Sequence, residues 1–260
     1  MADSVAGNFA IYPSLKNRAV FISGGATGIG AAFVAHFAAQ GARVGFIDIL
    51  DDAAEALAAR SEAAGHPKPL YRHCDLLDIK ALREAIAALA GALGPITVLI
   101  NSAANDQRHS IEEMTPEYWD DRIAINLRHQ FFAAQAIAPM MIAAGGGSIV
   151  NIGSASWHLG QGGMPAYVAA KAGVEGLTRG LARDLGPHKI RVNCIIPGWI
   201  MTERQMTLWL TPEAERGLME KQCLKEKVFP ADIARMALWL AADDSRLCSA
   251  QNWVVDGGWS

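Results

Sequence analysis

The sequence predicts an α/β fold in a single domain, a seven-stranded parallel sheet with helices on both faces. Short β-branched runs alternate with longer Ala/Leu-rich helical patterns, the rhythm of successive βαβ units. The early strand candidates are almost wholly apolar, as strands covered on both faces must be. The 260 residues are 51% apolar and 19% charged, enough to build one large core and too apolar for disorder. No repeat of 20 to 50 residues and no low-complexity linker interrupts the chain, so one domain over residues 1–260 is expected. A dinucleotide-binding half, roughly 15–150, would precede a catalytic and substrate half, roughly 151–260.

Seven strands are expected: RAVFIS at 18–23, RVGFID at 43–48, LYRHC at 70–74, TVLIN at 97–101, SIVNIGS at 148–154, IRVNCII at 190–196 and NWVV at 252–255. Helical patterns lie between them, the first running to about Gln40 and the second starting near Asp51. Polar residues gather where strands end, and open parallel sheets bind ligands at the carboxyl ends of their strands. The least regular stretch, roughly 199–227, mixes Trp199, Met201, Met206, Trp209 and Met219 with charges and reads as a substrate lid.

Several classes of function are disfavoured. The formal charge of −3 and the lack of any Lys/Arg run argue against nucleic acid as a partner. Cys74, Cys194, Cys223 and Cys248 are scattered with no C-x-x-C pair, so they read as reduced thiols and no metal site is expected. The opening MADSVAGNFAIYPSLKN lacks a basic start followed by an apolar core, and no run of 18 apolar residues occurs. No membrane partner and a cytoplasmic location are therefore expected.

After the first strand comes Ser23-Gly24-Gly25-Ala26-Thr27-Gly28-Ile29-Gly30, opening a helix. Glycines here let the backbone approach a pyrophosphate while the helix N-terminus faces its charge, although the G-x-x-x-G-x-G spacing matches the general dinucleotide fingerprint only loosely. A tight βα turn would use the same residues. Asp48 ends the second strand 18 residues after Gly30, placed to accept hydrogen bonds from the adenosine ribose and to repel a 2′-phosphate. That favours NAD over NADP, and the alternative for Asp48 is an N-cap. Asp75 and Asn101 end the third and fourth strands, and with their neighbours Ile49, Leu76 and Ala103 they outline a cofactor groove or serve as turn residues.

Tyr167 and Lys171 are spaced i,i+4 in a helical pattern, so phenol and ammonium project from one face. A nearby cation would lower the phenol from its ordinary pKa of about 10 and let Tyr167 remove a hydroxyl proton. Ser154 closes the fifth strand at the ligand edge and could hold the reacting oxygen. Asn126 sits inside a helical run, an unfavourable place for Asn, where its amide could hold a water linking Lys171 to solvent or make a buried structural bond.

Taken together, Ser23-Gly24-xxx-Gly28-Ile29-Gly30, Asn101-Ser-Ala-Ala104, Asn126, Ser154, Tyr167-xxx-Lys171 and Pro197-Gly198 resemble the short-chain dehydrogenase/reductase family across essentially the whole chain. Ser23 stands where that family usually has Thr, and Ser102 and Ala104 depart from its usual Asn-Asn-Ala-Gly run. The resemblance implies a doubly wound Rossmann-type fold, usually tetrameric. Tyr167 would be the acid/base, Lys171 would bind the nicotinamide ribose and lower the tyrosine pKa, Ser154 would orient substrate, and Asn126 would sustain a proton relay. Pro197, Gly198, Ile200 and Thr202 would line the nicotinamide and its phosphate. The ending VVDGGWS resembles members whose C-terminus packs at a subunit interface, which implies a homotetramer.

Substrate choice falls to the loops. Asn105, Arg108, His109, Ser156, Trp157, His158 and Trp199, with Ser154 and Tyr167, mix hydrogen-bonding groups with indole faces, a combination suited to a small polyol. Arg108 and His109 could equally be solvated loop residues or subunit contacts, and Trp157 plain packing. Residues 11–16, Asn105-Asp106 with Arg108-His109, Asn126-Leu-Arg-His129, Ser156-Trp-His-Leu-Gly160 and Gln222-Cys-Leu-Lys225 resemble bacterial D-xylose 1-dehydrogenases and related aldose dehydrogenases acting on L-arabinose, L-fucose, D-galactose or L-rhamnose. That likeness implies NAD-dependent oxidation of the C1 hydroxyl of a cyclic pentose or hexose to an aldonolactone. Two other readings remain at this level: a ketone or 3-oxoacyl reductase using NADPH, which Asp48 opposes, and a non-catalytic dinucleotide-sensing scaffold.

Overall fold

The computed structural model describes residues 9–260, so the first eight residues of the opening segment lie outside it. Seven strands form one parallel sheet: β1 (Ala19–Ser23), β2 (Arg43–Asp48), β3 (Leu70–His73), β4 (Val98–Asn101), β5 (Gly147–Ile152), β6 (Ile190–Pro197) and β7 (Asn252–Val255). Their spatial order is β3-β2-β1-β4-β5-β6-β7, the doubly wound order that reverses direction between β1 and β4.

The apolar runs have a direct physical cause. Val20 and Ile22 of β1 pack into one core layer with Phe33, Phe37, Phe46, Ile233 and Leu240. Their neighbours Ala19 and Phe21 face the opposite layer with Leu82, Ile86, Leu89, Ile137 and Met141. Both faces of each central strand are buried, so alternation disappears and most positions are apolar, the buried polar exceptions such as Asn101 and Asn151 being hydrogen-bonded. Helices α1 (Gly28–Ala39) and α9 (Pro230–Ala241) cover the first face, and α3 (Ile79–Leu93) and α5 (His129–Ala143) the second. The remaining helices are α2 (Asp51–Ala63), α4 (Pro116–Ile123), α6 (Pro165–Leu185), α7 (Glu203–Leu208) and α8 (Pro212–Lys221).

Two boundaries differ from expectation in ways that matter. β5 stops at Ile152, so Gly153 and Ser154 form the turn beyond it, with the Gly153 N–H donating to the Ile195 carbonyl at 2.8 Å. The expected lid is more regular than its composition suggests. Thr202 and Thr211 cap α7 and α8 through their hydroxyls, and Ile200 pairs with Val228 in a short parallel bridge.

A buried polar chain ties α6 to the sheet. The Asn101 Nδ2 donates to Asn151 Oδ1 at 2.9 Å, and Asn151 Nδ2 donates to Thr178 Oγ1 at 3.0 Å. All four cysteines are free, and among the described residues no metal-ligating cluster occurs and no helix is long and apolar enough to cross a membrane. Thr178→Val keeps the volume but strands the Asn151 N–H in the interior. We expect a loss of about 1–3 kcal/mol in urea denaturation, and an unchanged midpoint would show that this chain does not anchor α6.

Candidate active site

The crevice at the carboxyl ends of β1 and β4 is shaped by close backbone contacts. Gly24 and Gly28 have φ of +68° and +56°, a region that favours glycine. A Cβ on Gly24 would lie 2.6 Å from the Ala103 Cα, and one on Gly30 would lie 1.7 Å from the Gly24 carbonyl oxygen. Ser23 Oγ accepts the Ser102 and Ala103 N–H groups at 3.2 and 3.4 Å, joining the glycine turn to the turn after β4. Thr27 precedes α1 without a side-chain cap, so the helix presents free N–H groups at a glycine-lined opening. Thr202 faces the same opening, its Cγ2 3.3 Å from where a Gly28 Cβ would stand. This cradle fits a dinucleotide pyrophosphate.

Asp48 is not the N-cap of α2, whose cap residue is Leu50. Its Oδ2 accepts the Ala26 N–H at 2.9 Å and its Oδ1 accepts the Ile49 and Leu50 N–H groups at 2.8 and 3.2 Å. The carboxylate thus braces the glycine turn from the end of β2 and retains acceptor capacity. Asp75 Oδ1 accepts the Leu77 N–H at 2.9 Å beside buried Leu76. Asn101 is fully buried, with its Oδ1 unpartnered.

On α6, Lys171 is buried and its Nζ donates to the Ile152 carbonyl at 2.8 Å, 5.6 Å from the Tyr167 ring centroid. Burial pulls its pKa down to about 8. Tyr167 is pushed up to about 12 by burial, and a hydrogen bond with Ser154 works against that rise. The expectation that Lys171 brings the phenol below its ordinary value is therefore not met: loss of water around the phenol outweighs the charges near it. Ser154 Oγ accepts the Ser156 N–H at 3.2 Å, which turns the hydroxyl within the turn beyond β5.

Asn126 lies in a π-helical turn, Ala124–Arg128, between α4 and α5. Its Oδ1 accepts the Asn105 N–H at 2.8 Å, and its Nδ2 donates to the Asn105 and Arg122 carbonyls at 3.1 and 2.9 Å. Both amide protons are engaged by backbone. The side chain therefore fixes the loop after β4, and its N–H groups go to backbone carbonyls rather than to a water.

The substrate candidates separate into two groups. Arg108 stays at the centre: Nη1 reaches Met164 Sδ at 3.1 Å, the guanidinium lies 5.3 Å from the Trp209 ring centroid, and the Gln161 amide oxygen accepts from Nη1 and Nη2 at 3.0 and 3.2 Å in its satisfied orientation. Asn105 is held by Asn126, and buried His109 and Ser156 keep an unpartnered Nε2 and Oγ. Trp157 and His158 direct their ring nitrogens to Glu175 Oε1 on α6 at 2.5 and 2.9 Å, so those groups are withdrawn from a ligand. The Trp199 Nε1 likewise donates to Gln205 Oε1 at 3.0 Å. Asp106 and Gln161 stand in loops the sequence assigns to substrate choice, whereas Glu175 and Gln205 were not singled out by sequence. Only Glu175 carried a legible signal, standing one helical turn after Lys171 on the face of Tyr167.

A parallel sheet with a glycine cradle at its switch point, beside a buried Tyr/Lys/Ser cluster, defines an oxidoreductase of Rossmann type. Comparison with known proteins makes the class specific. Residues 24–260 match the family model described as "Enoyl-(Acyl carrier protein) reductase". The chain is 49% identical to D-xylose 1-dehydrogenase of Caulobacter vibrioides over 96% of its length and 98% of that protein. It is 46% identical to the "Probable galactose dehydrogenase GalD" of Rhizobium meliloti over 95% of its length and 96% of that protein. It also superposes with a TM-score of 0.90 on a short-chain type dehydrogenase/reductase from Mycobacterium ulcerans at 26% identity, covering 95% and 90% of the two chains. The chain belongs to the short-chain dehydrogenase/reductase family, whose dehydrogenases use nicotinamide dinucleotides.

Gly30→Ala would drive a methyl into the Gly24 carbonyl and displace the cradle. We expect at least a roughly tenfold loss of dinucleotide affinity in calorimetric titration, equivalent to about 1.4 kcal/mol. Unchanged affinity would remove the glycine turn from the cofactor site.

Proposed function

We propose that the chain is an NAD-dependent aldose 1-dehydrogenase, oxidising the C1 hydroxyl of a cyclic pentose or hexose to the aldonolactone. The observation that carries the reading is buried Lys171 with its Nζ 5.6 Å from the Tyr167 ring centroid, one turn along α6, in a chain so similar to a D-xylose 1-dehydrogenase and to a protein named as a galactose dehydrogenase.

Gly24, Thr27, Gly28, Ile29 and Gly30 would hold the pyrophosphate, and Asp48 with Ile49 the adenosine ribose. Asp75, Leu76, Asn101 and Ala103 would line the groove. Tyr167 and Lys171 would hold the nicotinamide ribose, and Pro197, Gly198, Ile200 and Thr202 the ring and its phosphate. An aspartate carboxylate at position 48 would repel a 2′-phosphate, which favours NAD over NADP. The nicotinamide, when bound, supplies the two-electron acceptor.

The remaining chemistry falls to the protein's own groups. Ser154 and Tyr167 grip the C1 hydroxyl, and Tyr167 accepts its proton. As the C1–H bond breaks, its electron pair leaves with the hydrogen, and the oxygen closes a C=O bond to give the lactone. The Lys171 ammonium stabilises the phenolate, so the productive form pairs ionised Tyr167 with protonated Lys171. Asn126 positions the Asn105 loop, and Arg108, His109 and Ser156 are the groups left to meet the sugar's other hydroxyls. Trp157 and Trp199 would act by shape, since their indole N–H groups are engaged elsewhere, while His158 has only its Nε2 tied to Glu175. We further propose a cytoplasmic homotetramer, consistent with the free thiols; a monomer in light scattering would refute the assembly.

The test is initial-rate NADH formation across a panel of pentoses and hexoses, with NADP and simple secondary alcohols as controls. We expect turnover on one or two aldoses with NAD favoured. Because the productive form needs one proton removed from a pair titrating near 8 and 12, the rate should climb roughly tenfold per pH unit until about pH 8 and then level. Tyr167→Phe should lower turnover by about 10²–10⁴ while dinucleotide affinity stays. Activity only on ketones with NADPH would overturn the sugar assignment.

A further inference from the structure

The loop leaving β4 and the segment after β6 meet through one carboxylate. Asp106 Oδ2 accepts from Gln205 Nε2 at 2.6 Å, and Oδ1 accepts from Arg204 Nε at 3.3 Å, both donors standing on α7. Gln205 passes the connection on, its Oε1 accepting the Trp199 Nε1 at 3.0 Å. Two residues further along the same loop, Arg108 lies under Trp209, just past the end of α7. A helix of six residues has little stability of its own. It is attached to the body of the protein by buried Ile200 and Met201 just before it, with the Ile200–Val228 bridge, and by these side chains.

We infer that Asp106 is a positioning residue whose carboxylate latches α7 and Trp199 onto the loop that carries Arg108, closing residues 199–209 across the substrate site. The assignment of a substrate site rests on the proposed sugar dehydrogenase activity; the latch itself does not. The irregular composition of 199–227 fits a lid, and Asp106 supplies a group that shuts it. Asp106 suits the task because a carboxylate can accept two donors at once in a partly enclosed place, and charge-assisted bonds are the stronger kind. When it is lost, the part-buried Gln205 amide regains a partner in water by opening of the segment, which exposes the reacting atoms to solvent, whereas the Arg204 guanidinium is already largely hydrated.

The same charge reaches the chemistry. Asp106 raises both Tyr167 and Lys171. The other groups facing that pair are Arg108 from its own loop, Ser154 from the turn after β5, Cys194 from β6, and buried His129 from α5, which burial and Lys171 hold neutral with a pKa near 3. Removing the Asp106 charge therefore moves the rising limb of the pH–rate profile to lower pH.

The test compares Asp106→Asn, Gln205→Ala and the double variant with the unaltered enzyme. In a latch, each single change raises the sugar KM about tenfold and leaves kcat within about threefold. The double variant is no worse than the singles because both remove one shared bond. Trypsin cleavage after Arg204, followed by mass spectrometry without sugar, accelerates several-fold in all three, and the pH limb shifts in Asp106→Asn but not in Gln205→Ala. Additive KM effects, or a raised KM with unchanged cleavage at Arg204, would make Asp106 a direct sugar ligand and overturn the latch. If the unaltered enzyme turns over no aldose, the sugar reading fails, and the cleavage rates alone decide the latch.

Discussion

A buried ammonium sets the terms for this active site. Lys171 is 1% exposed, and its one hydrogen-bond acceptor in the structure is the Ile152 carbonyl. A cation in that position is tolerated only if the acceptor stays in place, because an unpaired interior charge is far more costly than the pair. Helix α6 is thereby fixed over the end of β5. Once it is fixed, Tyr167 stands one turn before the lysine, next to Ser154, and Glu175 one turn after it. The Asn101–Asn151–Thr178 chain enforces the same docking from deeper in the sheet.

The strand ends are tied to each other by short, mostly backbone-directed bonds. Ser23 holds the turn after β4, Asp48 holds the glycine turn after β1, and Asn126 holds the backbone of Asn105. These ties pre-organise a rigid cradle. Residues 203–209, beyond buried Ile200 and Met201, are attached differently, through side chains such as those of Asp106, Arg108 and Gln205. Elements held by few, partly exposed contacts are the ones that open locally, and substrate access requires an element of that kind. The strand ends are thus tied by backbone-directed bonds, and α7 by few, partly exposed side chains.

Glu175 shows how a buried charge can redirect residues that look like ligands. It gathers the ring nitrogens of Trp157 and His158 and the amide of Asn252. The turn that carries Ser154 and Ser156 is braced by this contact against α6 and β7. An aromatic-polar dipeptide after a catalytic serine suggests sugar recognition. Here its polar edge serves the protein, and its remaining faces are available for packing.

What could be read from the chain alone were features with a local cause. Short apolar runs marked β1, β2 and β4 most clearly, because a strand buried on both faces must be largely apolar, while the partly exposed edge strands β3 and β7 were marked by their alternation with helical patterns. The glycine turn and Asp48 marked the cofactor end, and i,i+4 spacing put Tyr167 and Lys171 on one face. Residue identity could not say that Asn126 would sit in a π turn with its amide engaged by Asn105, that Glu175 would capture Trp157 and His158, or that Asp106 would meet Gln205 across 99 residues. Nor could it give the tyrosine pKa, which depends on how much water packing removes from around the phenol. Spacing along a helix or strand is set by backbone geometry and survives in the sequence. Partnerships between loops and the solvent left to a buried group exist only once the tertiary structure has closed.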